Sequence, residues 1–263
     1  MDPQERADLL RARALLQTPG VAVRFANLLG APIEKGFRLL PSGASRLIHR
    51  ATRSALQRAL GLALHSLGQA DAKPEPPDNR LHRWMAGASG AVGGAFGFAA
   101  LAVELPISTT LILRSIAQIA ASQGHDLASL ETRLACLEVF ALGGQTSTDN
   151  AAETSYWAVR AALAKVVTEA LGSLAGRSAI TETAPAAVRL VTSLASRFGV
   201  VVSEQVAAKA VPVLGAAAGA AINVVFMDHF QRMAEGHFIL KRLEQRHGTR
   251  AIRRLYETLH AHP

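Results

Sequence analysis

The sequence predicts an all-α protein: a multi-helix bundle with two central Gly/Ala-rich helices packed closely together. Three observations lead there. The apolar fraction, 49% of 263 residues, is dominated by alanine and includes only 5% aromatics, a composition that favours helix over sheet. Apolar residues recur at three- and four-residue steps along most of the chain, and no stretch insists on a strand. Two uncharged runs, 84–103 and 210–227, carry glycines at that same spacing. With 18% charged residues the chain is too apolar for disorder, and it is long enough to bury a sizeable core.

Taken in order, residues 1–70 read as a basic helical extension. Within it, 46–68 places Leu47, Ala51, Ala55, Leu56, Leu60 and Leu64 along one side, with arginines opposite. Residues 71–79, with three prolines and mixed charge, are the one clear linker. The main helical domain is 80–263. In it, Pro106 suits the first turn of a helix that stops at Gly124. Leu127, Leu130, Leu134, Leu137 and Ala141 mark an amphipathic helix packed on one side. Asn150 and Glu153, three apart, can form a capping box for the next helix. A long helical pattern begins near Pro185, is interrupted near Pro212, and ends where Gly248 and Thr249 close one helix and cap a short last one.

The glycine-rich run 84–103 admits three readings. As a phosphate-binding loop it lacks the terminal Gly-Lys-Ser/Thr and a preceding strand. As a membrane span its length fits, yet twelve of its twenty residues are Gly or Ala, and the next helix carries Arg114. The third reading explains the spacing. Gly87, Gly90, Gly94 and Gly97 form one stripe, as do Gly215 and Gly219 with Asn223, and such grooves let backbones approach closely. The glycines are expected to be packing devices.

Polar groups on these apolar helices form a candidate network or pocket. Thr110, Arg114 and Gln118 share a stripe, Glu104 precedes them, and Asn223, Asp228, His229 and His237 follow the second glycine run. A buried Arg114 would need a carboxylate, which Glu104 or Glu138 could supply. His229 and His237, eight apart, are poorly placed to chelate one ion, so no metal and no cofactor is expected. An enzymatic alternative, a hydrolase or metal-dependent enzyme, would require Glu104, His229 and His237 to converge at a cleft. The single cysteine, Cys136, reads as a core residue.

The net charge of +8 is unevenly spread: residues 1–83 hold 13 Lys+Arg against 7 Asp+Glu, 228–263 hold 7 against 4, and 84–150 hold 2 against 5. Basic ends flanking an apolar middle suit an anionic membrane surface. With few aromatics and no binding motif, nucleic acid is not an expected partner. The amino terminus has no apolar signal region, so a cytoplasmic location is expected, peripheral at the inner membrane face rather than integral.

Several stretches together resemble the EcsC family: LLGAPIEKGFRLLP from Leu28, ELP at Glu104 with LRSIAQIAASQG, LACLEVFALGG, YWAVRAAL, VPVLGAAAGAAIN and DHFQRMAEGHF. Their order covers roughly residues 25–250, and Glu104, Arg114, Asn223, Asp228, His229 and His237 match its polar pattern. The resemblance implies a membrane-associated protein linked to an ABC transporter, and it implies no reaction or cofactor. The resulting expectation is a non-enzymatic accessory or binding protein whose partner is an anionic membrane surface or a membrane-protein complex. A soluble protein-interaction module is the other alternative.

Overall fold

A computed structural model describes residues 1–17, 19–65, 101–144, 152–175, 184–211 and 215–259. Among them are ten helices and no strand: α1 (Pro3–Leu16), α2 (Val21–Leu29), α3 (Ile33–Leu39), α4 (Ala44–His65), α5 (Leu101–Ser122), α6 (Leu130–Leu142), α7 (Ala152–Ala175), α8 (Pro185–Ala210), α9 (Gly215–His247) and α10 (Thr249–Thr258). The linker 71–79, the stripe Gly87, Gly90, Gly94 and Gly97, and Asn150 lie outside the described residues. Gly215 is the first residue of α9, and Gly219 is buried within it.

Local chemistry sets the boundaries. Asp2 caps α1 by accepting from the Glu5 amide (2.7 Å), and the Glu5 carboxylate accepts from the Asp2 amide (3.0 Å), a complete capping box with Pro3 in the first turn. Gly30 ends α2 at φ +61°, and Gly124 follows α5 at φ +85°, both in the left-handed region that glycine enters without penalty. Pro185 opens α8. Gly248, at φ +82°, is itself the cap of α10; the threonine predicted as that cap is its first residue and makes no capping bond.

α4 buries the predicted side, Ala51, Ala55, Leu56, Leu60 and Leu64, and turns its arginines outward. Two expectations need correction. Pro106 is not in a first turn but inside α5, leaving one turn of that helix without a backbone donor. α6 is not buried on one side only. Leu134–Leu137 and Val139–Leu142 are all buried, because α6 packs against α4, α5, α7, α8 and α9. The helix keeps only a narrow solvent edge, at Leu130, Glu131, Arg133 and Glu138.

α9, 33 residues and therefore about 50 Å long, is the ruler of the molecule. α5 runs parallel to it: Glu104 meets Asn223, Ser115 meets Gln231 (2.9 Å) and His125 meets the Phe238 carbonyl (3.0 Å). α8 returns antiparallel, bringing Gln205 to Asn223 and Phe198 against Phe226 and Phe230. Buried residues of α1, α2 and α4 join the same hydrophobic cluster as those of α5 to α10. One described helix, α8, is long and apolar enough to cross a membrane by length and composition, with mean hydropathy 1.4, and half of that window is buried in the bundle.

Candidate functional site

Three polar clusters are strung along α9. At its amino end the Glu104 carboxylate accepts from Lys209 of α8 and from the Asn223 amide (2.9 Å), while Gln205 donates to the other face of Asn223 (2.8 Å). Burial lowers the ammonium pKa of Lys209, opposed by the adjacent carboxylate of Glu104. The pair is nearly sealed, with side-chain exposures of 9% for Glu104 and 17% for Lys209. Such a network ties α5, α8 and α9 in one register, and each charge depends on the other for its solvation.

One and a half turns further along, Asp228 is clamped between Arg24 of α2 and Arg232 (2.8 Å). Burial would raise its pKa, but hydrogen bonds from Arg232 and Arg24 outweigh that and hold it below the usual carboxylate value. The adjacent His229 is fully buried, and one ring nitrogen hydrogen-bonds the Gly143 carbonyl (2.9 Å). Burial pulls its pKa down to about 4, so the ring is neutral, with Nε2 donating and Nδ1 left without a partner.

The third cluster surrounds His237. Burial drives its pKa well below the ordinary value and raises that of Tyr156, so the tyrosine hydroxyl donates to Nδ1 at 3.0 Å. Nε2 points toward Glu138 at 3.8 Å, beyond hydrogen-bond reach, and burial raises the pKa of that carboxyl. Arg160 grips Glu244 with two bonds (2.7 and 2.9 Å) and lies over the Tyr156 and Trp157 rings.

The network read from the sequence is therefore only partly assembled. Glu104 and Asn223 meet, with Lys209 and Gln205 as partners that the sequence reading did not single out. Those two stand four residues apart on α8 just before the break at Pro212, so a hairpin back to Asn223 was the available signal. Arg114 and Gln118 are exposed, and Thr110 donates to its own helix at the Pro106 carbonyl (2.9 Å). Their stripe is the solvent face of α5, and the carboxylate of Glu104 goes to Lys209 instead. Nor do Glu104, His229 and His237 converge. His237 lies fourteen residues beyond Asn223 on α9, about 21 Å along the axis, and both histidines are sealed in packed core. Among the described residues no group of three His, Cys, Asp or Glu could hold a metal ion.

Outside the core, charge is compensated unequally. α1 lies along the carboxyl half of α9 through Arg11–Glu235, Asp8–Arg242 (2.7 Å) and Glu5 with Arg246 (3.3 Å) and His247 (3.0 Å). Residues 33–65 carry Lys35, Arg38, Arg46, Arg50, Arg53 and Arg58 against Glu34 alone. All six cations are exposed, and none has an ion-pair partner among the described residues.

The fold and these clusters define a class: an all-α bundle whose polar interior is closed and whose uncompensated charge is on the surface. The chain belongs to the EcsC protein family, whose model matches residues 22–243. No curated protein and no solved structure matches it.

Proposed function

We propose that the protein is a non-catalytic, membrane-associated accessory or binding protein, held peripherally at the inner face of the cytoplasmic membrane by anionic lipid. Its place beside a membrane-protein complex, including an ABC transporter, is part of the same reading. One observation carries it: among the described residues the six outward cations of α3 and α4 have no ion-pair partner and Glu34 is the one acid in 33–65, while the cations of α9 facing α1 are paired. A concentrated positive field of this kind attracts an anionic surface, each cation near it contributing about 1 kcal/mol. The full burial of His229 and His237 supports a role other than catalysis by these two rings.

Co-sedimentation with vesicles tests this. The full chain should pellet with phosphatidylglycerol–phosphatidylcholine vesicles, weakly with phosphatidylcholine alone, and less as salt screens the charges. Equal pelleting with both compositions, or none with either, refutes the proposal.

A further inference from the structure

The membrane reading leaves open which side of the molecule meets lipid, and the exposed apolar side chains mark one. α2, α3 and α4 all pack on α8. They bury Phe25, Gly36, Ala51 and Ala55 and turn their other sides outward. On those outer sides stand Val23, Leu28, Phe37 and Leu39, the last 55% exposed. The first turns of α5 add Val103, 67% exposed, and Ile107 four residues on. These belong to one end of the bundle: α3 touches Ala207 through Gly36, and Lys209, two residues later, holds Glu104 beside Val103. The remaining exposed large apolar residues among those described, Met1, Leu10 and Leu255, lie on α10, on α1 or just before it.

The cations without an ion-pair partner among the described residues occupy the same layer. Lys35 and Arg38 flank Phe37 on α3, and Arg46, Arg50 and Arg53 fall at i, i+4 and i+7, a single stripe along α4. A shallow groove of about 560 Å³ between α2 and α3 adds a mostly apolar concavity, lined by Ala22, Val23, Ala26 and Ile33 with Asn27 and Glu34 as its polar members. Exposed apolar residues bordered by unanswered cations are the composition of an interfacial membrane contact. A second copy of this face would set cation against cation. Nucleic acid would engage the arginines and leave Phe37 and Leu39 in water.

We propose that α3, the arginine stripe of α4 and the first turns of α2 and α5 are the docking face for an anionic bilayer. On it, Arg46, Arg50 and Arg53 meet headgroup phosphates while Phe37 and Leu39 enter the interface. This rests on the membrane reading and adds a location and a depth to it.

The test uses the full chain and equimolar phosphatidylglycerol–phosphatidylcholine vesicles. Cys136 is buried, so Leu39→Cys supplies one reactive thiol for an environment-sensitive dye, with Thr258→Cys on α10 as the distant control. The dye should shift to the blue on vesicle addition at position 39 and stay unchanged at 258. Arg50→Gln with Arg53→Gln should weaken partitioning by roughly thirtyfold, the worth of two near-surface cations. Arg250→Gln with Arg254→Gln should leave it at the wild-type value. Phe37→Ser with Leu39→Ser should abolish the binding that survives high salt. All these side chains are exposed, and circular dichroism melting checks that each variant is folded. If the wild-type chain fails to bind, the membrane reading falls and the docking face with it. If it binds while the dye responds at 258, or while the α4 pair binds normally, the face is wrong and the membrane reading stands. Displacement from vesicles by duplex DNA at equal phosphate, or a concentration-dependent dimer lost on Phe37→Ser with Leu39→Ser, overturns the lipid assignment.

Discussion

At its carboxyl end α9 presents Arg242, Arg246 and His247 to Asp8 and Glu5 of α1, so the cations of one helix are answered by the acids of another. The helices layered around its amino end hold Glu104 with Lys209 and Arg24 with Asp228 largely inside, and leave the arginines of α4 facing water. The same residue type thus does opposite work at the two ends. At one it fastens the chain to itself, and at the other it is left free for something else. The difference teaches that net charge describes this protein poorly. What matters is which cations already have a partner.

The comparison is broken most severely at Glu104. Replacing it with alanine strands Lys209 in low dielectric and removes an acceptor from Asn223, which should cost about 3–5 kcal/mol in urea denaturation. Glu104→Leu combined with Lys209→Met, which leaves no buried charge, should recover most of that loss. A single-variant cost under about 1 kcal/mol would show that the pair is not sealed.

A second break is acid. His229 has its pKa lowered from 6.5 to about 4 in the fold, so between these values the unfolded chain binds the extra proton and the native state does not. The His229 contribution to stability should therefore fall as pH drops from about 6.5 to about 4, by on the order of 3 kcal/mol, and level off below. His229→Gln, which keeps a donor for Gly143, should flatten this slope in urea midpoints taken across the range. The Glu5 clamp at the far end responds later. Its pKa is lowered from 4.5 to about 2 by bonds from Asp2, His247 and Arg246, so its contribution is present above 4.5 and is lost progressively as pH falls from there to about 2.

Two glycines sharpen the contrast between rigid and yielding contacts. A Cβ on Gly36 would stand 1.9 Å from the Ala207 carbonyl oxygen, so Gly36→Ala must push α3 off α8, at about 2 kcal/mol in thermal unfolding. On Gly236 the Cβ would meet Leu16 Cγ at 2.7 Å and the Ala12 carbonyl oxygen at 3.0 Å, a milder overlap than at Gly36, and the improved helix propensity offsets part of the strain. Gly236→Ala should cost less than Gly36→Ala; the reverse order would mean that α3 is loosely held. Least of all should follow from Asp8→Asn, which weakens one part-buried pair with Arg242 at the edge of the bundle and should cost about 1 kcal/mol or less.

Much of the architecture was legible. The stripe of α4, the stop at Gly124, the end of α8 at Ala210 and the long following helix are local properties, written in spacing and in Gly and Pro. The site was less so. Thr110, Arg114 and Gln118 have the spacing of a buried stripe, yet a stripe of polar residues on an apolar helix is equally the signature of its wet side. Only the placement of α4, α6 and α9 around α5 decided between them. His229 and His237 looked reactive because they are titratable, whereas burial holds both neutral.

By itself the sequence determined helicity, the main breaks and the family, because periodicity, propensity and punctuation act over a few residues. Only the tertiary structure decided which charges are spent inside the molecule. An ion pair such as Lys209 with Glu104 joins positions far apart in the chain, and its worth depends on the water excluded around it, which no local pattern records.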